Sequence, residues 1–296
     1  MPLWGEVAAL ITAVLWSGTA IAFSEASIRA GSLTVNITRM TLASTFLIIT
    51  IFIAGLSFNL SSTQVINLSI SGLIGLIFGD GFLFKAFQLI GARLSMLIMS
   101  LAPPIATVLA YFFLNEQLSI WAILGIIITI GGVAMVVLQR HEEPSGKFKI
   151  NALGILYGIF GALGQGAGLI LAKMAFNEGE INGFVATFVR VFSAVIVIIP
   201  MAIVTRTFKN PIKIYSHDKK AFGFTLIGSV LGPYLGITFS LIAISNTQVG
   251  IASTLMATVP ILMLPLVRFY YKEKLSWISI IGAVIAVGGV AILFLK

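Results

Sequence analysis

The sequence contains no cysteine, which excludes disulfide bonds, thiolate metal sites and cysteine-based catalysis. It has two histidines, His141 and His217, and both lie in polar connecting segments. No HExxH, GxSxG or phosphate-loop motif is present, and the carboxylates are not clustered. Charge is also scarce, since 9% of the residues are charged against about a quarter in an ordinary soluble protein. We therefore expect neither an enzyme nor a bound cofactor.

Long apolar runs dominate what remains, because 58% of the 296 residues are apolar and the mean hydropathy is +1.08. A bilayer core requires about 20 apolar residues per helix. On this measure the predicted spans cover residues 5–24, 33–55, 67–90, 93–114, 119–139, 151–172, 182–204, 220–243, 248–270 and 277–295. The predicted fold is therefore an all-α integral membrane protein with ten transmembrane helices. The first run is too long, and lacks the preceding basic residues, for a cleavable signal peptide.

The net charge of +8 predicts a topology rather than a nucleic-acid partner, because the basic residues occupy short loops between apolar runs. Lys173 and Lys296 lie on the side that carries both predicted termini, and most other Lys and Arg residues lie on the opposite side. The opposite side is therefore predicted to be cytoplasmic, with both termini extracytoplasmic. The expected location is a prokaryotic plasma (inner) membrane, and the lipid bilayer is an expected partner.

The chain repeats itself over its whole length. Residues 102–138 match residues 259–295 at an offset of 157 without a gap, so Pro103 corresponds to Pro260 and Glu116 to Glu273. The same offset relates Gly131-Gly132 to Gly288-Gly289, and an offset of 151 relates Arg39 to Arg190. A repeat of this length indicates two related structural units.

An odd number of spans in each unit determines how the two units are oriented. Five spans reverse the direction of the chain, so the second half is predicted to enter the membrane inverted relative to the first. The predicted units are 1–139 and 151–296, joined by a cytoplasmic linker at 140–150. Inverted repeats place a substrate site near the bilayer midplane and support alternating access.

Asp80 is the only acidic residue deep inside a predicted span. An ionised group at that depth costs at least about 2.5–3.5 kcal/mol, so it indicates either a function or a structural partner. A function would be proton acceptance or binding of a cationic substrate group, and a structural partner would be Lys85 or Arg39. Lys85 lies about 140° around the helix from Asp80, and it either reaches the interface or contacts an anion.

Arg39 and Arg190 each lie about two turns inside a span, with Asn36 and Thr187 one turn away. As functional residues they would contact anions or gate the two mouths of a cavity. As structural residues they would tie helix ends together, which the guanidinium fork does well.

Several polar and aromatic side chains are predicted at similar depths, and together they suggest a mostly apolar substrate pocket with a few orienting groups. They are Trp16, Phe84, Tyr157, Gln165 and Tyr234. Each of them alone is explained equally well by packing. The repeat-related Pro103 and Pro260 would bend spans 4 and 9 at equivalent points, either as hinges or to shape the cavity.

Taken together these features resemble the EamA-type members of the drug/metabolite transporter superfamily. The residues concerned are Trp16-Ser17-Gly18 in span 1, Arg39 and Arg190, and a duplicated pattern of proline, Glu-x-Leu-Ser and Gly-Gly-Val-Ala. The resemblance implies secondary transport of small metabolites through a cavity lined by spans 1–4 and 6–9, with spans 5 and 10 peripheral. Two features depart from it: Gly164-Gln165 stands where span 1 has Trp16-Ser17, and Asp80 has no acidic counterpart in the second half.

We therefore expect a secondary active transporter, most simply an exporter, of a small organic metabolite such as an amino acid or amine. A proton bound by Asp80 is the candidate coupling ion, and the protein is expected to be a monomer or homodimer. The alternatives are a passive channel for a small solute and a translocase for a lipid carrier. A carrier differs from a channel in being stimulated by substrate on the far side of the membrane.

Overall fold

The structure, a computed structural model, describes residues 3–114, 119–138, 151–246, 252, 255–272 and 275–292. The predicted linker at 140–150 lies outside these residues, as do Glu116 and Glu273 of the predicted turns. The described part of the chain is helical, with no strand, so the predicted all-α class is confirmed.

The helices follow one another with short connections. The first half contains α1 (Trp4–Ala30), α2 (Ser32–Ile53), α3 (Ser62–Gly72), the π-helical segment π1 (Leu73–Gly79), α4 (Asp80–Met99), α5 (Ala102–Leu114) and α6 (Ile120–Leu138). The second half contains α7 (Ala152–Asn177), α8 (Gly183–Val204), α9 (Pro211–His217), α10 (Lys219–Ser229), the π-helical segment π2 (Val230–Gly236), α11 (Ile237–Asn246), α12 (Val259–Tyr270) and α13 (Trp277–Ile292).

Seven helical stretches in the described residues are long and apolar enough to cross a membrane: α1, α2, α3–π1–α4, α6, α7, α8 and α10–π2–α11. The shorter apolar helices are α5, α12 and α13. Large apolar side chains such as Phe52, Ile127 and Phe269 are exposed on the outside, where lipid would cover them. The protein is therefore a multi-pass membrane protein.

Polar caps and glycines set many of the helix ends. Ser61 and Gln64 form a reciprocal capping box at the start of α3, and the side chain of Asn182 accepts a hydrogen bond from the backbone N–H of Phe184 at the start of α8. Such caps satisfy backbone N–H groups that the helix itself leaves unpaired. Gly31 separates α1 from α2 at a φ of 85°, which a residue with a side chain adopts only under strain.

The predicted border between spans 3 and 4 coincides with a break in α4. Gly91 has a φ of 75° and a ψ of 171°, so the helical path stops there and restarts at Ala92. The predicted spans end at residue 90 and begin at residue 93. The second piece runs to Met99 and is followed, after a turn, by α5.

The two halves carry irregularities at equivalent positions. The segments π1 and π2 are related by the offset of 157, since 73 + 157 = 230 and 79 + 157 = 236. The starts of α5 and α12 are related in the same way, with Pro103 and Pro260 as the second residue of each helix. The predicted bends at these prolines are thus turns immediately before a new helix. Proline is tolerated in the first turn because the N–H it lacks would be unpaired there.

Helices α6 and α13 cross at glycines, and the contacts are reciprocal. A methyl group on Gly132 would lie 2.5 Å from the nitrogen of Ala286, and one on Gly289 would lie 2.4 Å from the nitrogen of Thr129. Since 132 + 157 = 289 and 129 + 157 = 286, the repeat offset converts the first contact, Gly132 with Ala286, into the second, Gly289 with Thr129. Residue numbers increase in opposite directions along the two helices, so α6 and α13 run antiparallel.

Helix α1 extends past the predicted end of span 1 and contains a buried acid. The apolar run predicts that span 1 ends at residue 24, but α1 continues to Ala30 because serines and a glutamate do not interrupt a helix that packs on its neighbours. Glu25 is therefore inside α1 and buried, with one carboxylate oxygen 4.0 Å from Nε of Arg29. Asp80 is thus not the only buried acid among the described helices.

Candidate functional site

A cavity of about 210 Å³ lies between the two halves. Its walls come from α1, α2, π1–α4, α5, α7, α8, π2–α11, α12 and the residues just before α12. None of the described residues of α6 or α13 lines it, which agrees with the peripheral place expected for spans 5 and 10. Most of the surface is apolar, with a small polar group made by Asp80, Arg39, Gln165 and Arg190.

Asp80 is held by two neighbours from different helices. Nη2 of Arg39 lies 2.5 Å from Oδ2 of Asp80, and Nε2 of Gln165 donates to Oδ1 over 2.5 Å. The second donor of Arg39, Nε, bonds to Oδ1 of Asn36 over 2.9 Å. Arg39, and not Lys85, is therefore the partner of Asp80. The four side chains form one continuous chain of hydrogen bonds between α2, α4 and α7.

The same network is attached to the backbone of π1. Asn36 donates through Nδ2 to the carbonyl of Leu76 over 3.0 Å, and Gln165 donates through Nε2 to the carbonyl of Gly75 over 3.1 Å. A π-helical turn displaces carbonyls from the regular α-helical ladder, and such turns are frequent at functional sites. The two amide side chains thus satisfy carbonyls of π1 while they orient Arg39 and Asp80.

Phenylalanine rings cover the guanidinium of Arg39. Its Cζ lies 4.7 Å from the centre of the Phe84 ring and 5.4 Å from that of Phe23. Both rings are buried and line the cavity. A desolvated cation over a ring gains about 2 kcal/mol. The two rings therefore stabilise the Arg39 guanidinium in the position where it also pairs with Asp80.

Arg190 has quite different surroundings. It is 6% exposed, lines the cavity and forms no ion pair with Asp80 or any other described carboxylate. Its Nε is buried without a hydrogen-bond partner among the described residues. The neighbouring Thr187 donates its hydroxyl to the carbonyl of Gly183 over 2.7 Å instead. The cavity therefore contains one guanidinium that is paired directly with a carboxylate and one that is not.

Two glycines of the α3–π1 stretch determine where Arg190 lies. A methyl group on Gly72 would lie 2.1 Å from the carbonyl oxygen of Arg190, so α3 and α8 cross in backbone contact. One turn later, a methyl group on Gly75 would lie 3.4 Å from Nη2 of Arg190. These glycines let the arginine lie close against π1.

The remaining predicted residues divide into two groups. Trp16, Pro103 and Pro260 line the cavity, and Nε1 of Trp16 lies 2.6 Å from where a methyl group on Gly236 would be. Lys85, Tyr157 and Tyr234 do not line it.

Those three residues have partners elsewhere. Lys85 is exposed, and its Nζ lies 5.5 Å from the ring centre of Phe82 and 5.4 Å from that of Tyr157. Tyr234 shares a hydrogen bond of 2.8 Å with the hydroxyl of Thr50. Similar depth along a span therefore did not bring these side chains together with Asp80.

Most of the apolar wall of the cavity was not predicted from the sequence. Phe23, Phe87, Met96, Met99 and Leu241 all line the cavity. A phenylalanine or methionine in a membrane span gives no signal by itself, because the same residues face lipid in other spans. Phe23 would be recognisable only from its contact with Arg39, which depends on how α1 packs against α2.

A second polar group lies outside the cavity and links the two halves at the surface. Nη1 of Arg29 in α1 donates to Oδ2 of Asp218 over 3.3 Å, and Oδ1 of Asp218 accepts a hydrogen bond from the backbone N–H of Ala221 over 2.9 Å. The hydrogen bond from Ala221, and then that from Arg29, lower the pKa of Asp218 below its ordinary value. Asp218 thus caps α10 in its ionised form.

Similar proteins are transporters by name. A family model described as the EamA-like transporter family matches residues 3–138 and 152–295. The chain is 24% identical over 125 residues to an uncharacterized transporter of Clostridium kluyveri and 27% identical over 125 residues to the uncharacterized transporter YxxF of Bacillus subtilis strain 168. Each alignment covers 42% of this chain and 39% of the relative's length.

The fold also recurs among solved structures. A structure described only as "Crystal structure of protein" matches with a TM-score of 0.69, over 98% of this chain and 95% of that one. The sequence identity is 18%, so the match shows a shared fold and not a shared substrate.

Proposed function

The chain belongs to the EamA-like transporter family, and we propose that it is a secondary active transporter that exports a small organic metabolite by alternating access. The observation that carries the proposal is a cavity between two repeat-related halves, with charged side chains inside a mostly apolar wall. Pockets of this kind bind small molecules through a few orienting polar groups. An amino acid is the proposed type of substrate, and amines are the competing type.

The proposed architecture is ten spans in two inverted units of five. The antiparallel crossing of α6 and α13 through repeat-related glycines supports the inversion, because an in-plane twofold axis would produce such reciprocal contacts. The equivalent positions of π1 and π2 support it further. With the basic loops on the cytoplasmic side of a prokaryotic plasma membrane, both termini would be extracytoplasmic.

Alternating access would use the breaks before Pro103 and Pro260. Both prolines line the cavity, and each lies in the first turn of a helix that follows a short turn. A break in a helix lets the two pieces tilt with little loss of hydrogen bonding. We propose these equivalent points as the hinges that open the cavity to one side or the other.

Asp80 is the proposed site of a coupling proton. The charged groups that share its cavity are Arg39, which pairs with it, and Arg190, which does not. A proton on Asp80 would remove the charge that holds Arg39 and so weaken the link between α2 and α4. A pH gradient should therefore drive transport in proteoliposomes containing the wild type, and it should not do so in the Asp80→Asn variant.

The decisive experiment for a carrier is counterflow. A thermal-shift screen of the purified protein against amino acids, amines, nucleobases and sugar phosphates selects a ligand, since ligands that bind the folded state raise its apparent stability. Proteoliposomes preloaded with that unlabelled ligand are then given labelled ligand outside. A carrier transiently accumulates the label, whereas a channel equilibrates it at a rate that does not depend on preloading. Flux without counterflow would replace the proposal by a channel.

A further inference from the structure

We infer that Arg190 forms a carboxylate-binding subsite and that the transported molecule carries one carboxylate on an apolar body. The inference rests on the proposed transport function and narrows its substrate class. It comes from the difference between the two cavity arginines: Arg39 is paired with Asp80, whereas Arg190 has no ion pair and its Nε has no hydrogen bond among the described residues.

The charges of the described cavity residues do not balance. Asp80 carries one negative charge and is bound to Arg39, so this pair is neutral. Arg190 then leaves one positive charge in a space enclosed largely by apolar side chains. An unpaired buried charge is strongly destabilising in a protein interior and at membrane depth. A ligand with a single negative charge would remove that cost on binding, and it would do so without disturbing the Asp80–Arg39 pair.

The shape of the guanidinium favours a carboxylate as the anion. Arginine presents several N–H donors in a planar fork, which matches the two oxygens of a carboxylate in a bidentate arrangement. The Nε of Arg190 is free of protein partners among the described residues. The nearby acceptor on Asp80, Oδ1, already receives a hydrogen bond from Gln165 over 2.5 Å. Nε lies beneath the cavity surface, so a ligand would meet the guanidinium from the cavity side, where Arg190 forms part of the wall.

The apolar wall describes the rest of the ligand. Phe84, Phe87, Met96, Met99 and Leu241 line the same cavity as Arg190. Methionine and aromatic side chains adapt to flat or branched apolar groups. A ligand with an aromatic or branched aliphatic body would cover these side chains and exclude water from the ion pair with Arg190.

The same charges disfavour an amine that has no carboxylate. Its ammonium group would be repelled by Arg190, and Asp80, the carboxylate among the described cavity residues, already has Arg39 and Gln165 as partners. Displacing Arg39 would leave a second guanidinium unpaired. Of the two proposed substrate types, the inference therefore disfavours the amine.

Binding of three matched probes to the purified full-length protein tests the inference. The probes are 3-phenylpropionate, the neutral 3-phenylpropanamide and the cationic phenethylamine, with affinities measured by titration calorimetry in one detergent buffer. We expect 3-phenylpropionate to bind about ten-fold or more tightly than either of the others, as a charged hydrogen-bonded pair provides. Arg190→Gln should remove most of this preference, and Arg190→Lys should restore part of it.

Lys85→Gln is the matched control, because Lys85 is also a cation within a predicted span but does not line the cavity. Its preference for 3-phenylpropionate should equal that of the wild type. Equal or tighter binding of phenethylamine by the wild type would overturn the inference even if no Arg190 variant folds. An unchanged preference in a folded Arg190→Gln protein would overturn it as well.

Failure of the inference and failure of the proposed function give different results. Counterflow of an amine or a neutral solute would leave a transporter whose substrate contradicts the carboxylate subsite. Selective binding of 3-phenylpropionate at Arg190 without counterflow of that probe would leave the subsite intact and contradict carrier-type transport of it.

Discussion

Arg39 and Arg190 occupy equivalent positions in the two halves, yet their surroundings have diverged. Arg39 bonds to Asp80 and Asn36 and lies against Phe84. The repeat offsets give the counterparts of these partners as Ile237, Thr187 and Leu241. An isoleucine and a leucine offer no charge or π face, and the hydroxyl of Thr187 donates to its own helix.

Because of this divergence, the two equivalent arginines have different surroundings and can have different roles. In the first half the arginine joins α2 to α4 and stabilises the wall of the cavity. In the second half the arginine keeps its burial but has no ion-pair partner among the described residues, and we therefore propose it as the residue that meets a ligand. A duplicated fold can thus preserve one residue in both copies while the surrounding substitutions give it two roles.

The largest expected effect comes from removing the acid on the Arg39 side. Asp80→Asn leaves two guanidinium groups uncompensated in the cavity, and breaking a buried pair costs about 3–5 kcal/mol. The apparent melting temperature in detergent should fall markedly. The double variant Arg39→Gln/Asp80→Asn should recover part of the loss because no charge of this pair then remains. Additive losses in the double variant would show that the two side chains are not coupled.

A smaller loss of stability is expected when the crossing of α3 and α8, which positions Arg190, is disturbed. Gly72→Ala places a methyl group 2.1 Å from a carbonyl oxygen, so α3 and α8 must move apart. Overpacking of this kind costs roughly 1–3 kcal/mol. Gly81→Ala is the control, because a methyl group there meets nothing within 4 Å. Equal melting temperatures for the two variants would contradict the close crossing.

In the peripheral pair α6–α13, unlike at the two arginines, the two halves have remained alike. Gly132→Ala and Gly289→Ala should destabilise the protein to similar extents, toward the lower end of the same range of roughly 1–3 kcal/mol. The adjacent variants Gly131→Ala and Gly288→Ala should have little effect, since their added methyl groups meet nothing within 4 Å. A loss in only one member of the equivalent pair, measured by thermal unfolding, would argue against reciprocal packing.

The smallest effect on stability is expected at the surface contact between Arg29 and Asp218, which joins the two halves. The lowered pKa of Asp218 means that its ionised form stabilises the folded state above its ordinary pKa of 3.8, and that this contribution is lost as the pH falls through the lowered value. Asp218→Asn should therefore melt slightly below the wild type at neutral pH, and the two curves should converge below pH 3.8. A difference in melting temperature between the two proteins that grows as the pH falls would contradict this prediction.

The features of the fold that local sequence determines, such as breaks and bends in helices, were predictable. The gap between the predicted spans at residues 90 and 93 coincides with the break at Gly91, and the repeat predicted equivalent bends at Pro103 and Pro260. The end of α1 was not predictable in this way. Glu25 lies buried inside α1, with a carboxylate oxygen 4.0 Å from Nε of Arg29, and an apolar-run count cannot detect that contact.

The rotation of each helix about its own axis decided the rest of the site. Tyr157 and Tyr234 were predicted to lie near Trp16 because all three have a similar depth in their spans. Spans that are apolar on all sides, however, contain little information about which face turns toward the protein interior. The choice of Arg39 over Lys85 as the partner of Asp80 likewise depends on how α2 packs against α4. Helical geometry did predict correctly that Lys85 lies on a different face from Asp80.

The most direct test of the difference between the two arginines is the apparent melting temperature of Arg39→Met and Arg190→Met, measured side by side without ligand. Both variants remove one buried guanidinium and leave an apolar side chain of similar length. We predict that Arg39→Met melts well below the wild type, because Asp80 loses its ion-pair partner, while Arg190→Met melts at or above it, because an uncompensated charge is gone. Equal losses in the two variants would contradict the account.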